Sequence, residues 1–186
     1  MEYTKQVSLR LKAYIIGNLI IMIGIGIASP LSIKLLAENF SQEEISWLMI
    51  GGGIFLVFQF TMNKIKNKKI SLWLPIVIDF VIIYPVVIGL LYTNNIKTYL
   101  IIAQVIMGGG LMVLYNNSGY TFREIYKKNF SLSVFENRLA SANQIGLVVG
   151  YFINIFIGDF SPVVIYGLTN TLVFIGICFI IYAYKD

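Results

Sequence analysis

Charged residues divide the chain into six long stretches that are free of charge, except that the third contains Asp79. The stretches are 19 to 27 residues long and cover residues 13–33, 45–63, 70–96, 98–122, 139–158 and 160–184. An α-helix needs about 20 mostly apolar residues to cross the roughly 30 Å of hydrocarbon in a bilayer. The pattern therefore predicts an all-α, polytopic membrane protein whose residues 1–186 form one six-helix domain. We place the transmembrane helices at approximately 13–36, 44–62, 71–92, 98–116, 139–157 and 162–184.

The positions of the cations predict how these helices are oriented. If the N-terminus is cytoplasmic, 12 of the 14 Lys and Arg residues fall in cytoplasmic segments. These are Lys5, Arg10, Lys12, Lys64, Lys66, Lys68, Lys69, Arg123, Lys127, Lys128, Arg138 and Lys185. Only Lys34 and Lys97 fall on the outer side. Because cytoplasmic loops of membrane proteins are enriched in Lys and Arg, we predict that both termini are cytoplasmic. The expected location is the inner or plasma membrane of the cell, with the lipid bilayer as a partner.

Composition narrows the range of functions. The chain is 58% hydrophobic and 12% charged, whereas soluble domains are nearer 45–50% apolar and about 25% charged, which argues against a soluble enzyme. The net charge of +5 follows from the predicted topology, so we do not interpret it as a nucleic-acid binding surface. With no His and a single cysteine, Cys178, the chain lacks the commonest metal ligands. We therefore predict no enzymatic activity, no metal and no cofactor.

Asp79 is the only ionisable residue well inside a predicted span. It lies nine residues after Ile70, roughly 13 Å into the membrane, and no Lys or Arg within a span is available as its partner. Hydrocarbon favours the protonated form of a carboxyl group, which suits a residue that takes and releases a coupling proton. The same residue would also fit a structural role, as a protonated side chain that hydrogen-bonds a neighbouring helix.

Four amide side chains inside the spans form a second pattern. Span 1 aligns with span 4 at an offset of 86, which pairs Asn18 with Gln104. Span 2 aligns with span 5 at an offset of 95, which pairs Gln59 with Asn154. The paired spans run in opposite directions through the membrane, as a three-plus-three inverted repeat requires. Each of the four amides either forms a hydrogen bond between helices or lines a shared polar pathway.

Residues 23–73 contain a glycine pair (Gly24 and Gly26), a Ser29-Pro30 step, an acidic outer loop and a lysine-rich inner turn. In these features they resemble the first three helices of a transporter of the major facilitator superfamily. In that family the inner turn carries Gly-x-x-x-Asp-Arg/Lys-x-Gly-Arg-Arg/Lys. In this chain Asn63 stands at the acidic position, Lys64 and Lys68 match basic positions, and both glycines are replaced.

The later spans extend the resemblance. Gln104, Gly108 and Gly110 are similar to the Arg-x-x-x-Gly-x-Gly of helix 4 in drug exporters, with the arginine missing. The segment 136–143, leading into Gly146-x-x-x-Gly150, is similar to the start of helix 5 in multidrug or macrolide-type exporters. The resemblance implies proton-coupled efflux of a small molecule or peptide. It also implies a cytoplasmic gate or anchor, which we assign to Asn63, Lys64, Lys68, Lys69 and Arg138.

The length raises a further question, because members of that family have twelve spans in two halves with the substrate between them. Three interpretations follow: a half-transporter that pairs with itself or with a second six-helix half, a non-transporting membrane subunit (an immunity, assembly or regulatory protein), or the N-terminal part of a longer protein. Substrate-binding subunits of vitamin uptake transporters are also six-helix bundles. Those subunits contact their partner through Ala-x-x-x-Ala on the first helix, which is absent between Ala13 and Ala28.

Overall fold

The computed structural model describes residues 2–52, 89, 92–93, 95–105, 122 and 131–184. Within these residues the chain forms five α-helices and no β-strand. We number them in chain order as α1 (Glu2–Asn39), α2 (Gln42–Gly52), α3 (Ile96–Val105), α4 (Leu132–Ile157) and α5 (Pro162–Ala183).

Three of these helices are long and apolar enough to cross a membrane. Their apolar segments are Val7–Asn39, Ser133–Ile157 and Pro162–Ala183, which correspond to predicted spans 1, 5 and 6. For the residues that the structure describes, this confirms the coarser prediction of a helical chain with helices long and apolar enough to span a membrane. The helices α2 and α3 lie within or beside predicted spans 2 and 4, and predicted span 3 lies almost wholly outside the described residues. The count of six spans and the inverted repeat therefore stay predictions.

The chain divides into two compact units, of which the first contains Met1–Ile33 and Ile125–Asp186. In this unit α1 packs against α4 through glycine. A Cβ atom added to Gly146 would lie 2.7 Å from the carbonyl oxygen of Leu19, and one added to Gly26 would lie 2.6 Å from that of Leu147. The two backbones therefore approach too closely for any side chain at either glycine, which is a common mode of helix association in membranes. Because both residue numbers rise together, α1 and α4 run parallel.

The helices α1 and α5 also pack through glycine. A Cβ atom added to Gly17 would lie 2.6 Å from the carbonyl oxygen of Gly176, and the converse distance is also 2.6 Å. Further along, a Cβ atom on Gly24 would lie 3.1 Å from the carbonyl oxygen of Thr169. Residue numbers rise along α1 as they fall along α5, so these two helices are antiparallel.

The second unit is Lys34–Glu124, in which α2 and α3 pack against each other. Helix α2 begins with a capping box: the Ser41 backbone N–H donates to Glu44 Oε2 at 2.8 Å, and the Glu44 N–H donates to Ser41 Oγ at 3.2 Å. Asn95 caps α3 by accepting the Thr98 N–H at 3.3 Å. These local side-chain bonds explain why both helices start where they do.

One cation connects the starting turns of α2 and α3. Lys97 Nζ lies 3.3 Å from Glu44 Oε1 and 4.9 Å from the ring centroid of Phe40. The Ser41 backbone hydrogen bond and then the Lys97 hydrogen bond lower the pKa of Glu44, which is exposed and precedes the apolar stretch that begins at Ile45. The interaction is solvent-exposed, so its contribution to stability is small.

Candidate functional site

Polar side chains from α4 and α5 donate hydrogen bonds to the α1 backbone near the middle of its apolar segment. Asn154 Nδ2 on α4 donates to the carbonyl oxygen of Ile27 at 2.7 Å. Thr169 Oγ1 on α5 donates to the carbonyl oxygen of Gly24 at 3.2 Å. Backbone groups within hydrocarbon cannot be satisfied by lipid, so such bonds stabilise the contact between helices.

The α1 segment that accepts these bonds is followed by a proline within the helix. Pro30 has no backbone N–H and so cannot donate the bond that the Gly26 carbonyl oxygen would accept in a regular helix. The Ser29 hydroxyl donates to the carbonyl oxygen of Ile25 at 2.6 Å, a local bond of the kind that bends helices. The regular backbone hydrogen bonding of α1 is thus interrupted where its neighbours contact it.

A hydroxyl pair continues this contact after the proline. Ser32 Oγ on α1 and the Tyr166 hydroxyl on α5 lie 2.9 Å apart and share a hydrogen bond. Tyr166 and Thr169 are both buried and lie one helical turn apart on α5. We define the Pro30 cluster as these polar side chains together with the α1 backbone next to them: Ser32, Asn154, Tyr166 and Thr169.

For Asn154 the sequence predicts either a place in the pathway lining or a hydrogen bond between helices. In the structure its side chain donates a hydrogen bond to the backbone of α1. Asn18, a second predicted pathway amide, is on α1, about nine residues, or roughly 13 Å, from the Ile27 carbonyl that Asn154 contacts. The side chain of Asn18 is buried and donates within its own helix, from Nδ2 to the carbonyl oxygen of Tyr14 at 2.8 Å. The structure does not bring Asn18 and Asn154 together.

Asn18 also retains an unused acceptor. Its Oδ1 atom is buried and has no hydrogen-bond partner among the residues that the structure describes. Tyr14, one turn before it, is fully buried and contacts the rings of Phe135 at 5.8 Å and Tyr184 at 6.2 Å between centroids. This aromatic cluster joins α1, α4 and the end of α5 on the side that the charge pattern assigns to the cytoplasm.

Two of the remaining predicted site residues lie in described helices, and the others lie outside the described residues. Gln104 lies in α3, but its side chain is not described. Arg138 lies on α4, six residues after its start, and its side chain is exposed. Those outside the described residues are Gln59, Asn63, Lys64, Lys68, Lys69 and Asp79.

Sequence reasoning missed three members of the Pro30 cluster. Ser32, Tyr166 and Thr169 are neutral and common in membrane helices, so each alone carries little signal. The spacing of Tyr166 and Thr169, one turn apart on an otherwise apolar span, could have marked a polar face directed at another helix. The side chains of the cluster are amide and hydroxyl groups, which can donate and accept hydrogen bonds but carry no charge.

We also compared the chain with family models, with curated proteins and with solved structures, and no match was found in any of the three.

Proposed function

We propose that the protein is a transporter or half-transporter of the major facilitator type, which couples proton movement to efflux of a small molecule or peptide across the cell membrane. The observation that carries this proposal is the Pro30 cluster. It combines an interrupted backbone in α1 with donors from both neighbouring helices, at the middle of a membrane segment.

Alternating access requires packed helices to shift relative to one another, and three features of the cluster suit this. The interruption at Pro30 lets the two parts of α1 change their angle at lower cost than a continuous helix would. Side-chain donors such as Asn154 can exchange one carbonyl for the next along the helix. Glycine contacts between α1 and α4 leave few interlocked side chains to oppose a small movement.

The directions of the three membrane helices support the predicted topology. Spans 1 and 5 of a six-span chain cross the membrane in the same direction, and span 6 crosses in the opposite one. The parallel packing of α1 with α4 and the antiparallel packing of α1 with α5 agree with that order. In this proposal the three spans between α1 and α4 return the chain to the cytoplasmic side.

Within this mechanism each predicted residue has a role. Asp79 takes and releases the coupling proton, because it is the one ionisable residue deep in a predicted span. Asn18 lines the pathway on the cytoplasmic side of the Pro30 cluster, where its Oδ1 atom, which accepts no hydrogen bond from the described residues, can accept one from substrate. Gln59 and Gln104 line the same pathway, and Asn154 links it to movement of α1. The cytoplasmic gate consists of Asn63, Lys64, Lys68, Lys69 and Arg138.

The experiment uses purified protein in vesicles with an imposed pH gradient and ethidium as the probe. The proposal predicts ethidium movement that requires both protein and gradient and that stops when a protonophore removes the gradient. Movement that is the same in protein-free vesicles would contradict it.

A non-transporting membrane subunit is the second candidate. The observation that favours it is the large exposed apolar surface of α4, which a partner protein could cover. A subunit of an immunity, assembly or regulatory complex predicts no gradient-driven flux and specific co-purification with one membrane protein. A substrate-binding subunit of a vitamin uptake transporter predicts instead co-purification with an ATPase module.

A further inference from the structure

One face of α4 is exposed along the whole helix. Its residues recur at alternating intervals of four and three, and we call them the α4 stripe: Asn137, Ser141, Gln144, Val148, Tyr151 and Ile155. All six side chains are exposed, with Val148 at 65% and Ile155 at 75%. Intervals of three and four residues place these side chains on one face of the helix.

The α4 stripe lies on the opposite side of α4 from α1. Gly146 and Gly150 contact α1, and at 100° per residue they lie about 160° around the helix from Val148. Leu139 and Ala142, which flank the glycine side, are buried. The stripe is therefore directed away from the helix against which α4 is packed.

Lipid alone does not suit this surface, because part of the stripe is polar. Gln144 lies six residues beyond Arg138, roughly 9 Å further along the helix, and is followed by thirteen more helical residues of the same apolar segment. Its exposed amide and the Ser141 hydroxyl one turn away would face hydrocarbon, which offers no hydrogen bonds. Polar side chains in that position associate membrane helices.

We propose that the α4 stripe packs against the α4 stripe of a second copy of this chain, in a parallel dimer with its two-fold axis along the membrane normal. In such a dimer, each residue close to the two-fold axis faces the same residue of the other copy. Gln144 is suited to this because an amide both donates and accepts, so two copies satisfy each other. Between Arg138 and Asp159 the helix carries no charge that would repel its copy.

The dimer would supply the second half that a six-span transporter requires. Only this role of the dimer rests on the proposed function. The contact itself depends on α4 crossing the membrane and on the exposure of the stripe. Cross-linking and flux are separate measurements, so the two proposals can fail independently. A cross-linked dimer without flux contradicts only the transport proposal, and flux without α4 cross-links contradicts only the dimer.

The first test is disulfide cross-linking of the full chain in phospholipid vesicles, with Cys178→Ser as the background. Single cysteines are placed in the stripe (Val148→Cys, Ile155→Cys) and, as controls, at exposed apolar positions about 80–100° around the same helix (Val149→Cys, Phe156→Cys). After mild oxidation, the stripe variants should form at least several-fold more dimer than the controls. Equal cross-linking at all four positions, or none in the stripe, would overturn the proposal.

A second test measures dimerisation without a covalent bond. Fluorescence energy transfer between labelled copies is followed as vesicles are diluted with lipid, for the original chain, Gln144→Leu and the control Phe156→Leu. Loss of a hydrogen bond between membrane helices should weaken the Gln144→Leu dimer about 3- to 20-fold and leave the control unchanged. If Gln144→Leu left the affinity of the dimer unchanged, this contact would be excluded. Energy transfer only to a different labelled membrane protein, and not between two copies of this chain, would exclude it as well.

Discussion

Thr169 and Thr171 lie two residues apart on α5 and use their hydroxyl groups differently. Thr169 is fully buried and donates to α1, at the carbonyl oxygen of Gly24. Thr171 is exposed and donates within its own helix, to the carbonyl oxygen of Gly167 at 2.8 Å. The pair therefore separates a hydrogen bond between helices from one that any threonine in a helix can make.

We predict that Thr169→Val lowers the free energy of unfolding by about 0.6–1.7 kcal/mol, from the average to the largest contribution measured for hydrogen bonds between membrane helices. Valine keeps the shape of the side chain and removes only the donor. Thr171→Val should have a smaller effect, because no second helix is involved. Unfolding in mixed detergent micelles measures both, and equal effects of the two substitutions would refute the assigned role of Thr169.

Glu44 adds a pH dependence at the start of α2. Its pKa is lowered from the ordinary value of 4.5 by the Ser41 and Lys97 hydrogen bonds, so its stabilising contribution is present above that value. The contribution is lost as the pH falls through the lower folded pKa. We expect the stability difference between the original chain and Glu44→Gln to shrink on acidification below about pH 4.5, as followed by unfolding at several pH values. A difference that stays constant would contradict the contact.

At this scale the sequence identified Asn154 and Asn18 as amides within spans, because a polar group in hydrocarbon must have a reason to be there. It left open whether each amide binds a helix or lines a pathway. That choice depends on which atoms of other helices lie within hydrogen-bond distance, which spacing along one helix does not contain. Thr169 shows the same limit, since its partner is 145 residues away in the chain.

Two glycines, Gly150 on α4 and Gly167 on α5, differ in what surrounds them. A Cβ atom on Gly150 would lie 2.8 Å from the Cα atom of Gly26, whereas one on Gly167 would meet nothing within 4 Å. The first glycine is required for helix contact, and the second only weakens its own helix.

Alanine at these two glycines should therefore have opposite effects. We predict that Gly150→Ala lowers the free energy of unfolding by about 1–3 kcal/mol, since the backbone of α1 must move away. Gly167→Ala should leave stability unchanged or raise it by up to about 1 kcal/mol, the helix preference of alanine. The same unfolding assay applies, and destabilisation by both would show that the α1 contact is not the cause.

The element boundaries show what an apolar stretch predicts. It located the membrane parts of α1, α4 and α5 and the start of α5 at Pro162, but not where α1 and α4 begin. Helix α1 begins at Glu2 and α4 at Leu132, well before the predicted spans at 13 and 139, because charged residues end an apolar stretch without ending a helix. Only Phe40 and Ser41 separate α1 from α2, whereas the predicted spans leave the seven residues 37–43 between them. The cause is the capping box, which starts α2 at once.

For the whole molecule, the charge pattern was the most informative feature of the sequence. It predicted that spans 1 and 5 run in one direction and span 6 in the other, with which the packing of α1, α4 and α5 is compatible; the number of spans and their sidedness stay predictions. It contained nothing about which helices touch, because contacts depend on glycine positions and polar pairs from distant parts of the chain. The transport proposal joins the two kinds of information: a predicted proton-binding residue, Asp79, and the backbone hydrogen bond that α1 lacks at Pro30.

In the proposed mechanism a proton on Asp79 drives transport, and one comparison tests this role directly. Ethidium flux driven by a pH gradient is measured in vesicles for the original chain, for Asp79→Asn and for Asp159→Asn, at equal amounts of inserted protein. Asp159 is an exposed loop carboxylate between α4 and α5, so its substitution should leave the flux unchanged. We predict that Asp79→Asn reduces flux to the level of protein-free vesicles. Flux through Asp79→Asn equal to that of the original chain would contradict it.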